Sequence, residues 1–147
     1  MSAPRHILLV TNSTTEAEIA EIKQVMSAPA EKKLFNIKLS LVHVIPPLPT
    51  CYFNIPSMVM LAERYYEEAK QSLACIGDML SILQHDQWLI TGKPRSEVLR
   101  LANRLNTHFI LASSTIIPEL HKSFLFRKEH KTPIKNINQL SMSDVNT

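Results

Sequence analysis

Short apolar runs alternate with stretches of helical spacing along this chain. Ile7-Leu8-Leu9-Val10 is apolar without alternation, as in a strand buried on both faces. Thr11-Asn12-Ser13 ends it. Ser13-Thr14-Thr15-Glu16 then fits a capping box, and Thr15-Ala17-Glu18 offers a second frame one or two residues on. Ile19, Ile22 and Met26 follow at helical spacing, and Pro29 lies just past the predicted end. Leu39 to Ile45 reads as a second strand, stopped by Pro46-Pro47. Pro46, Pro47, Pro49 and Pro56 together exclude a helix or a central strand from 46–56, which predicts a loop.

The clearest helix is predicted from Ser57 to Leu83. Its stripe is Leu61, Tyr65, Ala69, Leu73, Ile76, Leu80 and Leu83, all on one face. Gly77 interrupts it at a cost of about 1 kcal/mol relative to Ala. Trp88 to Thr91 is a third strand and Gly92-Lys93-Pro94 a turn. A helix follows from Arg95 or Ser96, with Val98, Leu99, Ala102 and Leu105 as its stripe. Phe109 to Ala112 is a fourth buried strand. The pattern then weakens. Pro118 to Arg127 fits a helix with Pro near its first turn. Pro133 to Ile137 fits a poor fifth strand, and 138–147 is a polar tail.

Strands alternating with helices imply one α/β domain over residues 1–137. Its parallel sheet is covered on both faces and its crossovers are right-handed. Ligands of such sheets bind beyond the carboxyl ends of the strands, where strand order reverses. The candidate loops are therefore 11–13, 45–56, 92–95 and 113–117.

Composition narrows this picture. At 147 residues, with 45% hydrophobic and 20% charged positions, the chain is neither wholly disordered nor a coiled coil. No stretch approaches the roughly 20 apolar residues of a membrane span, so no membrane association is expected. The N-terminal apolar run is too short for a signal-peptide core and lacks a small-residue cleavage site. A net charge of +3 without a basic cluster argues against a nucleic-acid partner. Cys51 and Cys75 make no disulfide framework, so reduced thiols and a cytoplasmic location are expected. Cys75, beside the long stripe, is expected to be buried and inert. Cys51, in the proline-rich loop, reads as exposed and oxidisable.

Candidate chemistry is sparse. His85, His108, His121 and His130 show no metal-ligand spacing, so no metal is expected. His43 reads as a structural histidine near the crevice, and Lys93 and Arg95 as parts of a solvated turn. No Ser-His-Asp grouping, carboxylate pair or Gly-x-Ser-x-Gly elbow stands out, so no catalytic residue is assigned. Pro47, Leu48, Tyr52, Phe53, Ile55 and Met58 to Met60 form an apolar segment with two open readings, an association surface or ordinary core.

Thr91-Gly92-Lys93-Pro94-Arg95-Ser96-Glu97-Val98-Leu99-Arg100-Leu101-Ala102, running on to Phe109-Ile110-Leu111, resembles the universal stress protein family. That family carries a strand, a Gly-x-Pro turn, a helix with an Ile-Leu-x-x-Ala core and an apolar strand. Ile7 to Val10 before a Ser/Thr-capped helix is similar to the family's start, and Leu41-Val42-His43-Val44-Ile45-Pro46 to its second strand. The resemblance covers residues 5–115 and extends to 137.

It implies a doubly wound sheet of five parallel strands in the order 3-2-1-4-5 and, in many members, a homodimer joined through the last strand. One branch of the family binds ATP. That branch uses an Asp after strand 1, a main-chain contact at the end of strand 2, and a Gly-x-x-Gly loop with a following Gly-Ser or Gly-Thr after strand 4. Here the Asp position is Asn12, the main-chain contact falls on Val44, and the motif glycines fall on Ser113 and Ile116. The nearest match to the closing pair is Lys122-Ser123, after a shorter loop. Glycine loops hold phosphates because main-chain N–H groups approach with no Cβ in the way. A β-branched Ile116 resists that conformation. Lys135 and Asn136 also stand at apolar positions of the family's dimer strand.

The resemblance thus implies a non-catalytic stress-response or regulatory protein that acts by ligand or protein binding. Its crevice is formed by Thr11, Asn12, Ser13, Val44, Ser113 and Ser114. No cofactor is expected, with ATP and AMP disfavoured. The alternative is an adenine-nucleotide-binding protein in which Ser113, Ser114 and Thr115 hydroxyls replace some backbone donors; the same hydroxyls equally suit helix capping. A third reading, a weak nucleotide hydrolase, lacks an identifiable base or metal carboxylate.

Overall fold

The computed structural model describes residues 5–26, 37–113, 116, 117, 120 and 133–137. It contains five strands, β1 (Arg5–Val10), β2 (Ile37–Ile45), β3 (Gln87–Thr91), β4 (Phe109–Ala112) and β5 (Ile134–Asn136). Three helices are described: α1 (Glu16–Met26), α2 (Pro56–Leu80) and α3 (Pro94–Leu105). The sheet is parallel throughout, in the order β3-β2-β1-β4-β5. This is the doubly wound α/β fold expected from the sequence.

The apolar runs lack alternation because both sheet faces are covered. The register sets Leu9 beside Leu41 and Leu111. These side chains pack with Ile19 and Ile22 of α1 and with Leu73, Ile76 and Leu80 of α2. On the opposite face Leu8, Val10, Val42, Val44 and Ile110 meet Val98, Leu101 and Ala102 of α3, together with Leu120. Strand order reverses between β1 and β4, so the ends of those two strands form the switch point.

The helix ends follow local chemistry. Of the two capping frames, the later one forms. The Glu18 N–H donates to Thr15 Oγ1 at 3.2 Å, and the Thr15 N–H donates to Glu18 Oε1 at 3.0 Å. α3 starts at Pro94, one residue before the sequence reading, because the first helical position needs no amide hydrogen. It stops at Asn106 in the left-handed region, φ 54°.

α2 stops three residues before the predicted end. Ser81 adopts φ 58° and the Ile82 N–H donates to the Gly77 carbonyl at 2.8 Å, which closes the helix. Leu83 is therefore outside the helix and exposed. The rest of the predicted stripe is only half right. Ala69, Leu73, Ile76 and Leu80 are buried, whereas Leu61 and Tyr65 are exposed. Cys75 is exposed too, contrary to expectation, because it lies off the buried face. Cys51 is also exposed.

Gly77 has a packing role. A Cβ there would collide with the Gln87 side-chain amide, whose Nε2–H donates to the Ile82 carbonyl at 2.9 Å. The start of β3 thus locks onto the end of α2. The expected fifth strand is present as the three residues of β5. Of the expected helix from Pro118 to Arg127, only Leu120 lies among the described residues, and it is buried. The polar tail 138–147 lies outside them. No described helix is long and apolar enough to cross a membrane.

Candidate functional site

At the carboxyl end of β1 the chain turns away, and side chains take over its hydrogen bonding. The Thr11 N–H still donates to the Val42 carbonyl, at 2.8 Å. Thr11 Oγ1, buried, lies 3.3 Å from the same carbonyl oxygen and 3.2 Å from His43 Nδ1. One position on, Asn12 continues the ladder with its side chain. Its Nδ2–H donates to the Val44 carbonyl at 2.7 Å, and its Oδ1 accepts the Val44 N–H at 2.9 Å. Both main-chain groups of Val44 are thereby satisfied by one amide. Ser13 makes the turn in the left-handed region, φ 60°, and is exposed. The Thr14 N–H and Oγ1–H then donate back to the carbonyls of Thr11 and Val10, each at 3.2 Å.

Ser113 ends β4 level with Thr11, since Val10 and Ala112 are register partners. It is buried, and its carbonyl accepts the N–H groups of Ile116 and Ile117, both at 3.1 Å. That is the bonding of a residue opening a helical turn. Thus Thr11, Asn12, Val44 and Ser113 lie together at the strand ends. Ser13 sits in the exposed turn beside them, and Ser114 and Thr115 lie outside the described residues.

The cleft itself lies to one side of the switch point. A concavity of about 610 Å³ opens between the end of β2, the Pro46–Pro49 segment and the first half of α2. Its lining includes Asn12 and Val44 but not Thr11, Ser13 or Ser113. The cause is the path of α2. The helix buries no residue before Ala69, so its first half stands clear of the sheet. His43 and Ile45 form the floor, Met58, Leu61 and Tyr65 the opposite wall. Among the described residues no Lys or Arg lines it, and Glu68 is the one carboxylate. Burial lowers the pKa of His43, which keeps that imidazole neutral at pH 7.

The sequence reading had one wall of this cleft, the 45–56 loop, among its candidate loops, but missed the wall formed by α2. Its signal was the proline-rich segment 46–56 running into Leu61 and Tyr65, apolar positions beyond the reach of the sheet. The neighbouring segment resolves mainly toward the exposed reading, since Tyr52, Phe53, Ile55 and Met60 are all exposed.

A second polar cluster sits at the opposite, amino end of β1. His6 Nε2 and Ser40 Oγ are 2.6 Å apart, and the His6 N–H donates to His108 Nδ1 at 2.9 Å. Burial, followed by nearby Lys38, pushes the His6 pKa down. Ser40 is wholly buried, so no substrate reaches its hydroxyl. This pair is a satisfied structural contact.

Solved structures share this architecture. The hypothetical protein MJ0577, the subject of a structure-based assignment of biochemical function, superposes with a TM-score of 0.60 at 18% identity. The match covers 88% of this chain and 92% of that one. The hypothetical protein PH0823 superposes with a TM-score of 0.51 at 16% identity, over 88% and 92% of the two chains. At such identities the likeness establishes the fold alone. No protein-family model matches the chain, and no curated protein matches it in sequence.

Proposed function

We propose that this protein is a non-catalytic binding module of the universal stress type, cytoplasmic and homodimeric, which acts by holding a ligand or a protein partner. In this reading ATP is not bound in the manner of that family's nucleotide-binding branch. The observation that carries the proposal is the pairing of Asn12 with Val44. Val44 is the position at which the resemblance implies a main-chain contact to nucleotide. Here its donor and acceptor are both engaged by the chain itself. A nucleotide using them must first displace Asn12, at about 0.5–1.5 kcal/mol for each hydrogen bond lost. Two such bonds weaken affinity by roughly five- to 150-fold. Among its described lining residues, the cleft beside Val44 adds no Lys or Arg to meet phosphate charge.

Thermal unfolding in millimolar ATP with magnesium tests this reading. The expected result is an unchanged melting temperature. A ligand at 100 times its dissociation constant adds about 2.7 kcal/mol, several degrees in a domain this size. A clear shift overturns the proposal in favour of nucleotide binding through a non-glycine loop. Phosphate release that disappears in Asn12→Ala overturns it in favour of a hydrolase.

A further inference from the structure

We infer that the cleft beneath the first half of α2 binds a small cationic amphiphile, an aromatic or branched apolar body carrying one protonated amine. This inference rests on the binding reading above and gives that reading a ligand class.

The volume, about 610 Å³, is that of a small-molecule site. Most of the lining is apolar, with Ile45, Leu48, Met58, Leu61 and Ala69 among it. The polar groups decide the rest. Asn12 is committed to Val44 through both ends of its amide. His43 bears no charge at neutral pH and its Nδ1 already meets Thr11. Among the described residues Glu68 is therefore the formal charge of the lining, and it makes no ion pair there. Tyr65 lies three positions before it, on the same side of α2 and likewise facing the cleft.

A carboxylate beside an exposed aromatic ring is a pairing that recognises ammonium. The ring face attracts the cation and the carboxylate neutralises it. An anionic ligand meets the reverse arrangement, with Glu68 repelling it and no cation among the described lining residues to offset that. A neutral apolar ligand gains the burial but not the charge.

The test titrates the full chain with phenethylamine, 2-phenylethanol and phenylacetate, following backbone amide NMR shifts. Phenethylamine is expected to give saturable shifts confined to residues 43–48 and 58–72. Phenylethanol is expected to bind more weakly at the same place, and phenylacetate not to bind. Glu68→Gln should lower amine affinity about two- to fivefold, the range for an exposed ion pair, and leave the alcohol unchanged. Tyr65→Leu should lower amine affinity more than alcohol affinity. Both side chains are exposed, so neither variant disturbs the core. Phenylacetate binding as tightly as the amine, shifts elsewhere, no saturable shift, or an amine affinity indifferent to Glu68→Gln each overturns the inference. ATP in a separate titration keeps the two readings apart. ATP-induced shifts at Asn12 and Val44 defeat the nucleotide-free reading, whereas the amine results decide the ligand class.

Discussion

Asn12 occupies the place where the next residue of β1 would have bonded β2. Its amide presents a donor nitrogen beside an acceptor oxygen, as the main chain it replaces does. Substitution therefore removes two hydrogen bonds and leaves a donor and an acceptor of the buried Val44 dependent on water entering from the adjoining cleft. Asn12→Ala is expected to destabilise the fold by about 1–2 kcal/mol, below the full range because water reaches the site. Asn12→Asp should do no better at pH 7, since a carboxylate accepts the Val44 N–H but faces the Val44 carbonyl as a second acceptor. Urea midpoints at constant slope measure both. An Asp variant as stable as the parent would show that the donor half of the pairing contributes nothing. The sequence located Asn12 and Val44 separately, as residues at the ends of two strands. It carried no sign of their bond, because that contact depends on Val10 standing opposite Val42, a register between segments 32 residues apart. Local chemistry was more legible, and the Thr15–Glu18 cap was visible as one of two frames.

Among the elements, the four longer strands were legible because each is mostly apolar without strict alternation, β2 keeping this despite Ser40 and His43, as two covered faces require. α2 was legible as a helix but not in its burial. Leu61 and Tyr65 keep the helical period of the buried residues, yet no sheet lies beneath them. Periodicity records which side of a helix is apolar and not how far its partner extends. The end of α2 was hidden for a different reason, since Ser81 adopts a left-handed conformation usually signalled by Gly or Asn. The glycine that the helix does contain serves another purpose, admitting Gln87. Propensity alone predicts that Gly77→Ala stabilises by about 1 kcal/mol. Packing predicts otherwise, because the new methyl displaces Gln87 and breaks its bond to Ile82. Gly77→Ala is therefore expected to leave stability unchanged or to lower it by about 1 kcal/mol. In a Gln87→Ala background the same change should stabilise. A double-mutant cycle by denaturant titration checks the sign, and additive effects would show that Gln87 does not oppose the methyl.

At the scale of the whole molecule, a doubly wound sheet has two edges, and among the described residues β3 and β5 form them here. An edge of unpaired main-chain groups favours addition of another strand. The dimer implied by the resemblance uses the β5 edge, which is only three residues long. Lys135 at its centre holds its ammonium 5.0 Å from the centroid of the Phe109 ring, drawn over the sheet. A two-fold pairing of β5 strands centred on this residue would bring Lys135 opposite its own copy. Like charges directly across a strand pair cost roughly 0.2–1 kcal/mol. The expected assembly is thus a salt-strengthened homodimer, because screening weakens the repulsion and leaves the main-chain bonds. Lys135→Thr, which removes the charge and raises strand propensity, should tighten it further. Light scattering at tens of micromolar, in low and high salt, reads both effects. A chain that stays monomeric in every condition, Lys135→Thr included, excludes association through β5. A dimer that Lys135→Thr leaves unchanged must use another surface.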